Sequence, residues 1–144
     1  MFKVDDGFYD HPKIRSIPRG TPRKGAVALW AFAGSWCARY LTDGLLPAHQ
    51  VPELGASTRE AEWLVAALLW HTAGHDCEKC PPVPSGHYLF HDWPQCNDLK
   101  TDVEKRRNKS RERMRKMRNG DGKDTEPSAD VRGLFAGTNR EQAR

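Results

Sequence analysis

The segment 57–70, STREAEWLVAALLW, constrains the fold more than any other part of the chain. Ser57 is a favourable N-cap residue, and Glu60 stands three residues later, where its carboxylate accepts a hydrogen bond from the N–H of the cap. Apolar residues then recur at helical spacing, at Ala61, Leu64, Val65 and Leu68. This pattern predicts a helix that begins at Ser57 and packs one apolar face against a core.

The elements around this helix follow a recognisable order. A longer helix is predicted over residues 25–40, then an extended Leu-Leu-Pro piece at 45–47 and a short helix near 48–54. Downstream, a hairpin is predicted, with strands near 69–75 and 87–93. This is the order of a winged helix-turn-helix. We therefore predict a mainly α fold with a small β-hairpin.

The segments outside these elements are less regular. Residues 2–9 mix apolar and acidic side chains, which predicts a short strand or an extended lead-in, and residues 13–24 predict a loop or a frayed helix. Cys37 lies on the apolar stripe of the first helix, so we expect it to be a small buried hydrophobe. The predicted winged helix-turn-helix domain covers residues 2–97.

Charge divides the chain into two parts. The first 97 residues hold nine Lys and Arg against ten Asp and Glu, whereas residues 98–144 hold 14 against nine, a formal charge of +5. We predict a basic, partly helical extension over residues 98–118 and a disordered tail over residues 119–144. This asymmetry suggests a polyanionic partner, and a merely solvated tail is the alternative.

Several functional classes are disfavoured by the sequence. It contains no run of roughly 18 apolar residues, as a membrane helix requires, and the start MFKVDDGFYDHPK lacks the order of a signal peptide. We therefore expect a cytoplasmic protein with no membrane partner. The chain also lacks a glycine-rich phosphate loop, a His-Asn-His arrangement and a Cys–His pair at a helix start, so we expect no enzymatic activity.

Histidines and cysteines are concentrated in the predicted hairpin, at His71, His75, Cys77, Cys80, His87 and His91. In a reducing compartment such cysteines are thiols or metal ligands rather than disulfides. Cys77-x-x-Cys80 is the two-thiolate half of a structural zinc site, and a hairpin returns His87 to the loop that carries His75. We predict a structural zinc ion held by His75, Cys77, Cys80 and His87. The alternative is a loop with two free thiols, and His91 is expected to pack or hydrogen-bond within the fold.

The same segments resemble a known family. FKVDDGFYDHPK, LTDGLLP after the first helix, LLW at the end of the capped helix, YLFHDW and an arginine-rich tail occur in this order. They are similar to the small winged helix-turn-helix proteins of actinobacterial phages and prophages, and to the N-terminal domain of phage replisome organisers. The resemblance covers residues 2–118. It implies a protein that binds double-stranded DNA in phage replication or regulation.

In such a protein the capped helix enters the major groove. Its exposed face offers Thr58, Arg59 and Glu62, and the acidic Glu62 repels phosphate unless it accepts from a cytosine amino group. Nine residues of the basic extension are expected to bind phosphate: Lys105, Arg106, Arg107, Lys109, Arg111, Arg113, Arg115, Lys116 and Arg118. Because the helix offers few groups for base readout, the alternative function is an adaptor for a host or phage replication or transcription protein.

Overall fold

A computed structural model describes residues 1–120 of the chain. The chain divides into two compact units, one that ends at Arg106 and one that begins at Arg107. The described part is mainly helical, with a small three-stranded antiparallel sheet. Residues 121–144, which include nearly all of the tail predicted to be disordered, lie outside the described residues.

Most of the predicted elements are present in the predicted order, with one short helix in the segment predicted as a loop or a frayed helix and another, not predicted, after the hairpin. After a 3-10 turn, the elements are α1 (Pro12–Ser16), α2 (Thr21–Tyr40), β1 (Leu45–Pro47), α3 (Gln50–Glu53), α4 (Thr58–Ala66), β2 (Trp70–His71), β3 (His87–Phe90), α5 (Trp93–Cys96) and α6 (Lys100–Gly120). Helix α2 begins earlier than predicted because Pro22 occupies its first turn, where a proline loses no helical hydrogen bond.

Helix α4 begins where it was predicted to begin but ends earlier than predicted. The Ser57 N–H donates to Glu60 Oε2 at 2.8 Å, and the Ser57 hydroxyl also donates to this carboxylate, so the capping box is confirmed. Ala61 and Leu64 are fully buried and turn the helix towards the core. The helix was predicted to continue to residue 70 but ends at Ala66. The chain leaves it through Leu68, whose backbone is left-handed at φ 56°.

Helix α2 forms the other wall of the core and packs against α4. Its buried residues are Ala26, Leu29, Ala33, Gly34 and Cys37. Cys37 has no exposed area, which confirms its prediction as a buried hydrophobe. Burial raises the pKa of the Cys37 thiol to about 11, so this cysteine is held as an inert thiol.

The N-terminal segment differs from its prediction. Residues 2–7 form no strand, and Phe8–Asp10 forms a 3-10 turn. The Phe2 ring instead lies against α2 at Gly34, where an added Cβ would stand 2.2 Å from the ring. It stacks on Trp93 with ring centroids 5.9 Å apart. Because Gly34 has no side chain, the Phe2 ring can pack directly against the backbone of α2.

The sheet has the order β1-β3-β2, with β3 in the centre. Trp70 pairs with Phe90, and their rings share the core face at a centroid distance of 5.4 Å. His71 pairs with Leu89 on the opposite face, where they are only 6% and 5% exposed. Both hairpin strands are shorter than predicted. Strand β3 ends before Asp92, whose left-handed backbone (φ 52°) starts α5.

Helix α6 covers most of the predicted basic extension, and its residues up to Arg106 belong to the first unit and contact it. The Lys100 N–H donates to Asp43 Oδ1 at 2.6 Å, and Arg106 forms an ion pair with Asp98 at 2.6 Å. Hydrogen bonds from Arg106 and Lys3 lower the pKa of Asp98, which keeps this anchor ionised. Within residues 1–120, no helix combines the length and apolar character needed to cross a bilayer.

Removing the N-cap of α4 tests the capping box. We expect Ser57→Ala to lower the free energy of unfolding by about 1 kcal/mol, because the hydrogen bonds of the Ser57 hydroxyl are removed while the backbone N–H still donates to Glu60. Hydrogen bonds from Ser57 lower the pKa of Glu60, so this stabilisation is present above the ordinary glutamate pKa. The stabilisation disappears as the pH falls through the pKa of Glu60 in the folded protein, which is lower than the ordinary glutamate pKa. Urea unfolding measures the difference, and Ser35→Ala on the exposed face of α2 is the control. Equal stability of Ser57→Ala and the native chain would contradict the role of the cap.

Candidate metal centre

Four side chains that suit a metal ion meet beside the hairpin. They are His71 at the end of β2, Cys77 and Cys80 in the loop 72–86, and His91 just after β3. One ligand atom from each lies within 4.8 Å of all the others. The structure therefore brings together the two predicted cysteines, but with two histidines other than those predicted.

Strand pairing explains why His71 and His91 meet. Side chains alternate between the two faces of a strand, so His71, Leu89 and His91 all lie on the face opposite the core. The backbone N–H of His91 donates to the backbone carbonyl oxygen of Leu69 at 2.9 Å, which continues the pairing of β3 beyond its last strand residue. As a result, His71 Nε2 and His91 Nδ1 approach to 2.8 Å.

The predicted ligand His87 is too far along the strand to join the cluster. It lies four residues before His91, which corresponds to about 13 Å of extended chain. Its Nδ1 contacts the carbonyl oxygen of Ser85 at 3.1 Å instead. The prediction of a His87 ligand assumed that the start of β3 lies beside the two cysteines. In the structure, the end of β3, at His91, lies beside them.

The other predicted ligand, His75, supports the loop instead of entering the cluster. Its Nδ1 accepts the N–H of Cys77 at 3.2 Å, and its Nε2 lies 3.0 Å from the carbonyl oxygen of Pro81. Its ring also stacks on His71 with centroids 4.5 Å apart. Both nitrogens of His75 are therefore engaged with backbone groups on either side of the two cysteines.

The spacing of the ligand atoms approaches that of a tetrahedral site. Bond lengths of about 2.3 Å for Zn–S and 2.0–2.1 Å for Zn–N give tetrahedral edges of about 3.6 Å between nitrogen and sulfur. The Cys77 and Cys80 sulfurs lie 3.7 and 3.6 Å from His91 Nδ1. The two imidazoles are closer than such a site requires, because a hydrogen bond joins His71 Nε2 to His91 Nδ1. A modest separation of the two rings would open the site.

The surroundings favour the protonation states that metal binding needs at the histidines. Burial lowers the pKa of His71 and of His91, so both imidazoles are neutral at neutral pH and keep a nitrogen lone pair. Burial raises the pKa of the Cys80 thiol, so a metal ion must displace its proton on binding. Four protein ligands leave no open coordination position, which is typical of structural sites rather than catalytic ones.

The loop that carries the cysteines has little core of its own. Among its residues, 72–86, only Val83 belongs to the buried hydrophobic residues. Three prolines, Pro81, Pro82 and Pro84, are exposed. Loops of this length are uncommon in compact domains unless something holds them. A metal ion bound to the four ligands would tie the loop to the ends of both strands.

The predicted DNA-binding residues are accessible. Thr58, Arg59 and Glu62 are exposed on the first turns of α4, while Trp63 is half-buried and packs against the core. All nine predicted phosphate-binding residues lie exposed on α6. The α4 residues belong to the first unit, and the basic residues from Arg107 onward belong to the second.

No protein-family model, curated protein or solved structure matches this chain.

Proposed function

We propose that this protein binds double-stranded DNA through a winged helix-turn-helix domain whose wing is stabilised by a structural zinc ion. The arrangement of the sheet supports the fold most directly. Strand β1 lies in the chain between α2 and α3, yet it pairs with β3 of the hairpin in the order β1-β3-β2. In this proposal, helix α4 is the recognition helix and the loop 72–86 is the wing.

The charge of α6 supports DNA as the partner. Between Lys100 and Arg118 the helix carries ten Lys and Arg residues against three Asp and Glu residues. Apart from the half-buried Val103, the side chains of this stretch are exposed. A helix of this composition buries little apolar surface, but it can neutralise phosphates and release their counterions. On α4, Arg59 is the side chain best suited to contact a base edge.

The resemblance to phage and prophage winged-helix proteins supports a role in replication or regulation of phage DNA, without catalysis. A cytoplasmic location fits the four cysteines, which are all free thiols in the structure.

Zinc is the ion that we propose for the cluster of His71, Cys77, Cys80 and His91. Two thiolates and two imidazoles form one of the usual donor sets for structural zinc, and they are softer than the oxygen donors that magnesium or calcium prefers. The ion would supply no chemistry beyond holding its ligands. Its effect would be to fix the wing relative to β2 and β3.

An adaptor that binds a replication or transcription protein is the second candidate function. Helix α2 exposes large aromatic side chains on its outer face, with Phe32 58% and Tyr40 59% exposed. Helix α4 offers few donors for base readout. An apolar protein interface would depend little on salt, whereas DNA binding weakens steeply as salt rises.

Paired histidine variants test the zinc centre. We expect the native protein, purified without chelator, to carry about one zinc ion per chain, as one Cys2His2 set binds one ion. His71→Ala and His91→Ala should lose this zinc, because each removes a ligand. His87→Ala is the matched control, since its ring lies at the other end of β3 from the cluster, and this variant should retain zinc. Elemental analysis gives the stoichiometry. If His71→Ala and His91→Ala retain zinc, or if His87→Ala lacks it, the assignment is contradicted.

Charge removal on α6 tests DNA binding. Replacing Lys109, Arg111, Arg113 and Arg115 by glutamine keeps helix-forming residues and removes four charges. We expect the slope of log K against log salt for a random duplex to flatten by about 0.9 for each phosphate that the helix no longer neutralises. Arg59→Ala is the contrasting variant, and it should weaken a preferred site by about 1–3 kcal/mol while leaving this slope nearly unchanged. A slope that the α6 variant leaves unchanged would contradict a phosphate-binding role and favour the adaptor.

A further inference from the structure

We propose that Asp92 is a positioning residue of the metal centre. Its carboxylate holds His91 in the tautomer that presents Nδ1 to the ion, and its backbone N–H stabilises the Cys80 thiolate. This inference rests on the zinc centre proposed above. Asp92 follows His91 directly and begins α5. Two separate groups of this residue, its carboxylate and its backbone N–H, face two different ligands.

The carboxylate determines which nitrogen of His91 is free. Asp92 Oδ2 lies 2.9 Å from His91 Nε2, on the side of the ring away from the cluster. A neutral imidazole has one N–H and one lone pair, so an Nε2–H that donates to Asp92 leaves the lone pair on Nδ1. Nδ1 is the atom that faces His71 and both sulfurs. A carboxylate in this position also raises the basicity of the ligating imidazole.

The backbone of Asp92 contributes separately. Its N–H points at Cys80 Sγ, with a nitrogen–sulfur distance of 3.5 Å. A hydrogen bond of this kind stabilises a thiolate more than a thiol, because the acceptor is charged. Asp92 makes this contact with a left-handed backbone at φ 52°, a conformation that aspartate, asparagine and glycine adopt more readily than other residues. Residue type and backbone geometry therefore agree at this position.

The charges around the centre also balance. A zinc ion with two thiolates and two neutral imidazoles has no net charge, so the Asp92 carboxylate adds one negative charge. Lys13 supplies a positive charge nearby, held by a hydrogen bond from its Nζ to Leu68 O at 2.8 Å. Burial lowers the pKa of Lys13, and the nearby Asp92, Cys77 and Cys80 oppose this change while Lys79 adds to it. The Lys13 ammonium group therefore offsets the negative charge that the Asp92 carboxylate adds beside the site.

Two variants at Asp92 separate its contributions. Asp92→Gly removes the carboxylate and keeps the left-handed backbone with its N–H, whereas Asp92→Asn keeps a hydrogen-bond acceptor and removes the charge. We expect Asp92→Gly to bind zinc about 10- to 100-fold more weakly than the native chain, in a competition titration with a chromophoric chelator. Asp92→Asn should fall between the two. The control is Glu78→Gln, which removes an exposed carboxylate between the two cysteines and should leave the zinc affinity unchanged.

The tautomer of His91 supplies a readout that a loss of folding would not produce. Long-range proton–nitrogen NMR spectra of the zinc-loaded native protein should show His91 bound through Nδ1 with the proton on Nε2. Native-like zinc affinity in both Asp92 variants would overturn the proposal, and so would coordination of His91 through Nε2. Native protein that takes up no zinc would overturn the zinc centre as well. If the native chain binds zinc and both Asp92 variants bind it with the same affinity, only the role of Asp92 is overturned.

Discussion

The position of β3 between β1 and β2 is the constraint on which most of this structure depends. One register places Trp70 and Phe90 together in the core, and the same register places His71 and Leu89 together on the opposite face. A shift of one residue would exchange the two faces, burying the histidine in the core and exposing the large aromatic rings. Core packing therefore selects the register that also brings His71 next to His91. The proximity of these two candidate ligands is a consequence of how the hydrophobic core is filled.

The proposed zinc ion would order the loop 72–86, which has almost no hydrophobic core of its own. The loop 72–86 is long and contributes only Val83 to the buried hydrophobic residues, so burial of apolar surface cannot order it. Backbone contacts of His75 to Cys77 and Pro81 arrange the loop locally. Bonds from the cysteines and strand-end histidines to one ion would connect that local arrangement to the sheet. The rest of the domain has a core of its own between α2 and α4, so the proposed ion would mainly order the loop 72–86.

Local sequence signals predicted most of the helices, but they predicted the ligands of the proposed metal centre only in part. The capping box at Ser57 and Glu60 involves neighbours in the chain, and so do the paired cysteines, which is why both could be recognised directly. The choice between His71 and His75 depends on strand register, which is normally specified by a short turn. Here β2 has two residues and the connecting loop is long, so no turn type specifies the register. Side chains alternate along a strand, so Leu89 and His91 share a face, but the sequence does not show how the partner strand aligns with them. The packing of Phe2 against Gly34 likewise joins residues that are distant in the chain, so it could not be predicted from local sequence.

X-ray absorption at the zinc edge, recorded on the full-length protein purified without chelator, tests the central claim most directly, because it reports the atoms bound to the ion. Two sulfur neighbours at about 2.3 Å and two nitrogen neighbours at about 2.0–2.1 Å are the result that the cluster of His71, Cys77, Cys80 and His91 predicts. Protein without zinc, or a zinc shell that contains no sulfur, would contradict it.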